Sequence, residues 1–141
     1  MRFWDASALI PLLVDEPARE RLLALLEEDS EMLAWWGTPV EIASALARRE
    51  REELLTADEV AAALEASRAL AEIWHEIVPS DVVRRTAGRL LRTHPLRAAD
   101  SLQLAAALVA ADHDSTSLEI VCMDARLTLA ARREGFTVLG A

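Results

Sequence analysis

Residues 2–10 read Arg2-Phe3-Trp4-Asp5-Ala6-Ser7-Ala8-Leu9-Ile10, in which a short apolar run ends at an aspartate and a helical pattern follows. Ser7 is a residue type that caps helices, so this stretch predicts a strand, a turn and a helix. Aspartate is disfavoured at the end of a hydrophobic strand, and burying its charge without compensation costs several kcal/mol. Asp5 is therefore the first candidate for a functional carboxylate.

The alternation of strand and helix continues along the rest of the chain. Strands are predicted at Arg2–Trp4, Met32–Trp36, Ile73–Val78, Glu119–Met123 and Phe136–Leu139. Helices are predicted after Asp5, from Pro17 to about Glu28, from Thr38 to roughly Glu53, from Thr56 to about Glu72, over Val82–Arg92, from Ala98 to about Ala111, and from Asp124 to Gly135. This order predicts an α/β fold with a central parallel sheet and helices on both faces. No repeat or linker divides the pattern, so residues 1–141 are expected to form a single domain.

Composition indicates the class of protein and its compartment. A chain of 141 residues with 52% hydrophobic residues can bury a core without disulfides or zinc. Cys122 is the only cysteine, which fits a reducing cytoplasm. No apolar stretch has the roughly 18 to 20 residues of a membrane span, and the first residues do not form a secretory signal. We therefore expect a cytoplasmic protein with no membrane segment.

The net charge of −9 argues against broad electrostatic binding to nucleic acid, because such binding needs a basic face. Any contact with nucleic acid must then be local. All fifteen cationic side chains are arginine. This choice reflects either genome composition or the value of arginine as a bidentate partner for phosphate and carboxylate.

Four acidic residues, Asp5, Glu41, Asp100 and Asp124, each lie where an apolar run gives way to the start of a helix. The carboxyl ends of parallel strands meet at one edge of a sheet, where ligands usually bind. Asp5, Glu41 and Asp124 follow three of the predicted strands, while Asp100 lies near the start of a helix. Several carboxylates at one edge need a divalent cation to offset their repulsion, so the pattern predicts a metal site.

Each of these acids also has a structural interpretation. The segment Thr38-Pro39-Val40-Glu41 matches a capping box with proline in the first helical turn. Asp124 is placed as an N-cap, and Asp100 as a first-turn charge favoured by the helix dipole. The sequence leaves both interpretations open for every acid, although the structural one is weakest for Asp5.

Four stretches carry a resemblance to a known family. They are Asp5-Ala6-Ser7-Ala8-Leu9, Thr38-Pro39-Val40-Glu41-Ile42-Ala43-Ser44-Ala45-Leu46, Leu96-Arg97-Ala98-Ala99-Asp100-Ser101-Leu102-Gln103-Leu104-Ala105 and Asp124-Ala125-Arg126-Leu127. In this order and spacing the chain resembles PIN-domain ribonucleases, and more narrowly the VapC-like toxins of toxin–antitoxin pairs. Any one of the stretches alone is a weak signal.

The resemblance implies a three-layer α/β/α domain in which an acidic cluster binds Mg²⁺ or Mn²⁺ and hydrolyses RNA phosphodiester bonds. Asp5, Asp100 and Asp124 match the metal ligands, while Glu41 either binds metal or positions the nucleophilic water. Together they are the predicted catalytic residues. Ser7 matches a hydroxyl residue that hydrogen-bonds a metal-bound water or orients a carboxylate, with helix capping as its alternative.

Arginines beside the proposed ligands are candidates for holding the RNA backbone. Arg97 and Arg126 are the two closest in sequence to a proposed ligand. Arg48, Arg49 and Arg51 form a basic run that either flanks the groove or solvates a helix, and we expect the second.

The resemblance also implies protein partners, namely a cognate antitoxin and a second copy of the chain, with Val40 to Leu70 as the candidate surface. An RNA-processing PIN nuclease without an antitoxin is the nearest alternative. A dimeric binding domain in which the acids only cap helices is the non-enzymatic alternative. An aspartate phosphotransfer protein is disfavoured because Ser7 occupies the second acidic position of such sites and the chain has no lysine.

Overall fold

The computed structural model describes all 141 residues. Five strands form one sheet: β1 (Arg2–Trp4), β2 (Met32–Trp35), β3 (His75–Ile77), β4 (Glu119–Val121) and β5 (Thr137–Leu139). All neighbouring strands are parallel, in the order β3-β2-β1-β4-β5. The predicted parallel sheet is confirmed. β1 lies at its centre, so the residues that follow β1 and β4 are adjacent at the carboxyl edge.

Seven α-helices connect and cover the strands. They are α1 (Ala6–Leu13), α2 (Arg19–Glu28), α3 (Thr38–Arg51), α4 (Ala57–Ala71), α5 (Asp81–Thr93), α6 (Ala98–Ala110) and α7 (Ala125–Arg133). The predicted elements are all present, with ends that differ by a few residues. None of these helices combines the length and apolar character needed to cross a membrane.

The alternation of side chains along β1 explains why both faces of the sheet are covered. Phe3 and Trp4 are 1% and 0% exposed and point to opposite faces, as neighbours in a strand must. Phe3 packs in a core formed with α5, α6 and α7, whereas Trp4 packs in a second core formed with α1 to α4. Burying each of these side chains contributes roughly 2–3 kcal/mol. The result is a three-layer α/β/α domain, as the resemblance implied.

The capping predictions for α4 and α1 have different outcomes. The capping box at the start of α4 is confirmed, because Thr56 and Glu59 exchange side-chain and backbone hydrogen bonds. The N-cap prediction for Ser7 is wrong, since Asp5 occupies the N-cap of α1 and its side chain accepts from the Ser7 N–H. Ser7 lies inside the first turn, which leaves its hydroxyl free for longer-range contacts.

Candidate active site

Three of the four predicted acids line one cleft at the carboxyl edge of the sheet. Glu41 in α3, Asp100 in α6 and Asp124 before α7 border a cavity of about 540 Å³. Asp5 follows β1 and is buried, with 4% of its surface exposed. Burial raises the pKa of Asp5, and the charges of Asp100 and Asp124 raise it further. The fold therefore brings four acids from distant parts of the sequence into one electrostatically coupled group.

Ser7 joins the two central strand–helix junctions. Its N–H donates to Oδ2 of Asp5 at 3.0 Å, and its hydroxyl donates to the same oxygen. In turn, Ser7 Oγ accepts from the N–H groups of Met123 at 2.9 Å and Asp124 at 3.2 Å. Ser7 thus orients the Asp5 carboxylate and fixes the backbone that presents Asp124.

Asp124 is also the N-cap of α7. Its Oδ1 accepts from the N–H of Leu127 at 2.8 Å, while Oδ2 has no hydrogen bond within the protein. Capping therefore uses one oxygen and leaves the other directed to the surroundings of the cleft. The structural and functional interpretations of this residue are compatible.

The capping box predicted at Thr38 and Glu41 is wrong. Gly37 is the N-cap of α3 and no side chain caps this helix. Thr38 is instead completely buried, and its hydroxyl accepts from Nε2 of Gln103 at 3.0 Å. The same nitrogen donates to Oε2 of Glu41 at 2.6 Å. Glu41 is therefore held by a side chain from α6 rather than by the end of its own helix.

The environment of Glu41 favours its protonated form. Burial is the main cause that raises its pKa to about 7, and the charges of Asp5 and Asp100 act in the same direction. The hydrogen bond from Gln103 opposes this rise. A carboxyl group with this pKa exchanges a proton near neutral pH, as general acid–base chemistry requires.

Gln103 is a site residue that the sequence prediction missed. It is 0% exposed within an otherwise apolar part of α6, and its Oε1 is buried with no hydrogen-bond partner. In the sequence, Gln103 is recognisable as a polar residue about one helical turn after Asp100 within a run of Leu and Ala. Buried polar groups are normally hydrogen-bonded, so such a position indicates a specific partner.

Arginines border the acidic cleft. Arg97 and Arg126 line it. Burial and the charge of Asp124 raise the pKa of Asp100, and the charges of these two arginines partly oppose that rise. Arg48 also lines the cleft, contrary to the expectation that it only solvates α3. Arg49 is paired with Glu16, with nitrogen–oxygen distances of 2.9 and 2.8 Å.

The chemistry of the acidic group fits a hard divalent cation. Carboxylate oxygens are the ligands that Mg²⁺ and Mn²⁺ prefer. Burial, together with the neighbouring carboxylates, raises the pKa values of Asp5, Glu41 and Asp100, so their charged forms are disfavoured without a cation. As the side chains stand, no three His, Cys, Asp or Glu side chains enclose a point where an ion would be coordinated.

A three-layer α/β/α fold with a parallel sheet and acids at its carboxyl edge defines a PIN-like domain. No family model matches the chain. Two curated relatives are each 32% identical to it over 139 residues, which cover 96% of this chain and 92% of the relative. They are ribonuclease VapC45 of Mycobacterium tuberculosis strain CDC 1551 and ribonuclease VapC49 of strain H37Rv. The chain belongs to the VapC ribonuclease family.

Solved structures support the same fold. FitAcB from Neisseria gonorrhoeae superposes with a TM-score of 0.66 at 19% identity, covering 98% of this chain and 96% of that one. FitAB bound to an IR36 DNA fragment also gives 0.66, at 18% identity, covering 99% and 94%. A toxin–antitoxin complex from Klebsiella pneumoniae gives 0.61 at 15% identity, covering 88% and 87%. The similarity extends over nearly the whole domain.

Proposed function

We propose that this protein is a divalent-metal-dependent ribonuclease and the toxin component of a toxin–antitoxin pair. The observation that carries the proposal is the convergence of Glu41, Asp100 and Asp124 in one arginine-lined cleft, with Asp5 buried beside them. The naming of two relatives as VapC ribonucleases supports RNA as the substrate.

The proposed roles follow from the position of each side chain. Asp5, Asp100 and Asp124 hold the cation, and Ser7 keeps the Asp5 carboxylate oriented. Glu41 binds the cation or positions the attacking water. When bound, Mg²⁺ or Mn²⁺ supplies positive charge at the phosphate and lowers the pKa of water. Hydrolysis adds water across one P–O bond of the RNA, so no covalent protein intermediate is needed.

Arginine side chains at the cleft offset the repulsion between its carboxylates and the RNA phosphates. Four carboxylates in a chain of net charge −9 repel an RNA phosphate. Arg97 and Arg126 lie at the same cleft and provide bidentate donors for phosphate oxygens. We assign to them the binding of the RNA backbone next to the cation.

We also propose an antitoxin partner, a homodimer and a cytoplasmic location. A groove of about 450 Å³ lies between the end of α1 and the start of α4, and it is lined by Leu13, Val14, Leu54, Leu55 and Ala63 among others. Leu54 is 69% exposed, so this surface has apolar area available for a partner segment. The buried free thiol of Cys122 fits a reducing compartment.

The test compares the wild-type protein with Asp100→Asn in cleavage of total RNA, with Mg²⁺ or Mn²⁺ and with a chelator. Asp81→Asn is the matched control, because Asp81 also lies in the first turn of a helix but its side chain is 80% exposed and outside the site. Circular dichroism checks that all three proteins are folded, and Mn²⁺ titration measures binding directly. We expect cleavage and metal binding by wild type and Asp81→Asn, and neither by Asp100→Asn.

Two further outcomes separate the alternatives. A wild-type protein that neither cleaves RNA nor binds Mn²⁺ would favour a binding domain whose acids only cap helices. Growth arrest of a bacterial host by wild type, but not by Asp100→Asn, supports the toxin role. An active ribonuclease that is harmless to the host indicates an RNA-processing nuclease instead.

A further inference from the structure

One face of α3 connects the acidic cleft to a second cleft. Glu41, Ser44, Ala45 and Arg48 follow the spacing of a single helical face, and all four line the acidic cleft. Arg48 also lines a neighbouring cavity of about 580 Å³. Asp124 borders both cavities as well, so the two adjoin at these residues, and together we call them the groove.

Arg48, like Arg97 and Arg126, has no partner within the protein. It is exposed and forms neither a salt bridge nor a side-chain hydrogen bond, and no carboxylate lies within ion-pair distance of it. The adjacent Arg49 is held by Glu16 and by the carbonyl oxygen of Ala45. Two neighbouring arginines of one helix thus differ in whether their guanidinium group is available to a ligand.

The distance of Arg48 from the acids indicates which phosphate of a bound strand it can contact. Seven residues separate it from Glu41, which is about 10 Å along a helix axis. Arg97 immediately precedes α6, three positions before Asp100, and Arg126 lies two positions after Asp124, and both line the acidic cleft. Arg48 is farther along the groove, at the junction with the second cleft. A strand bound across the acids would bring a different phosphate to this position.

We propose that Arg48 binds a backbone phosphate of the RNA outside the cleaved bond, where the strand passes from the acidic cleft into the second cleft. This assignment rests on the proposed ribonuclease function. The charge pattern accounts for local binding by an acidic protein, because the groove combines a partner-free guanidinium with acids that a bound cation would neutralise. Arg48 is a binding residue and does not act on the reacting atoms.

Binding is measured by fluorescence anisotropy with labelled single-stranded random-sequence RNA and Mg²⁺, over a series of salt concentrations. The full chain retains Asp100, so that the cation can bind, and for this measurement the RNA carries phosphorothioate linkages, which keep the backbone charge and slow cleavage. Arg48→Ala is compared with Arg51→Ala, the matched control, because Arg51 is an exposed arginine of the same helix that lines neither cleft. Kinetics of the same two substitutions in the otherwise wild-type protein provide kcat and KM separately.

We expect Arg48→Ala to weaken RNA binding roughly tenfold and to reduce the slope of log affinity against log salt by about 1. KM rises while kcat changes little, and Arg51→Ala has neither effect. Equal affinity for Arg48→Ala and its parent would overturn the proposal, as would equal losses for the two arginines, which would indicate a general charge effect. Absence of metal-dependent cleavage by wild type would instead refute the ribonuclease function itself.

Discussion

The side-chain nitrogen of Gln103 lies 2.6 Å from Oε2 of Glu41, although the two residues are 62 positions apart. Gln103 comes from the interior of α6 and is completely buried, whereas Glu41 is half-buried at the cleft. A single amide group therefore sets the direction in which a proposed catalytic carboxylate points. Removing that amide tests whether orientation of Glu41 matters for activity.

Gln103→Leu keeps the approximate size of the side chain but removes the hydrogen bond to Glu41. We expect kcat and Mn²⁺ affinity each to fall about tenfold, because loss of a group that orients a metal-site carboxylate has effects of this order. Thr38→Val is the control, since it removes only the other hydrogen bond of Gln103. Single-turnover cleavage and Mn²⁺ titration measure the two effects. Similar losses in both variants would show a general packing defect.

Ser7→Ala leaves the N–H groups of Met123 and Asp124 without their acceptor and the Asp5 carboxylate without one donor. We expect the free energy of unfolding to decrease by about 1–3 kcal/mol. Cleavage should also fall, because Asp5 and Asp124 lose their common anchor. Urea denaturation measures the first effect. Ser44→Ala, at an exposed position of the acidic cleft, should unfold like wild type. A Ser7→Ala protein of unchanged stability would contradict the anchoring role.

Substitutions of Asp124 separate its capping role from its proposed metal role. Asparagine caps helices as well as aspartate does, so Asp124→Asn should retain nearly wild-type stability. Asp124→Ala removes the hydrogen bond to Leu127 and should cost about 1 kcal/mol. Both variants should lose metal-dependent cleavage, because neither retains the negative charge. Full activity of Asp124→Asn would leave this residue with a structural role only.

The raised pKa of Glu41 predicts how stability depends on pH without metal. The folded protein binds this proton more tightly than the unfolded chain, since the pKa rises from an ordinary value of 4.5 to about 7. The stabilising contribution is fully present below pH 4.5 and is lost as pH rises through about 7. Thermal unfolding in a chelator should show wild type losing stability relative to Glu41→Gln across this range. Parallel curves for the two proteins would contradict the shift.

Wild type must be compared with Glu41→Gln because other acids also make the protein less stable as pH rises. Burial also raises the pKa values of Asp5 and Asp100. Their burial is common to wild type and Glu41→Gln, so the difference between the curves reports Glu41 together with its repulsion from these two acids. Adding Mg²⁺ above pH 7 should restore stability to wild type, since a cation bound to the folded state shifts the unfolding equilibrium by mass action.

The sequence by itself determined the α/β fold and the positions of the acids along the chain. Alternating apolar runs and helix caps specify local structure. The carboxyl ends of parallel strands lie at one edge of the sheet, and this does not depend on the loops that connect the strands. For that reason the strand ending at Trp4 and the acid that follows it were predictable together. The start of α4 was predictable for the same reason, because a capping box uses only residues close in sequence.

Tertiary structure alone decided which contacts those side chains make. Thr38 and Glu41 have the spacing of a capping box. With α6 packed against α3, both side chains instead accept a hydrogen bond from Gln103. Helix capping was one of two interpretations of Ser7, but the residue instead joins two strand ends that are more than a hundred residues apart. Arg48 and Arg49 are neighbours in sequence, but only Arg49 faces Glu16. Local patterns fix where a helix starts, whereas the partner of each side chain depends on how helices far apart in sequence pack together.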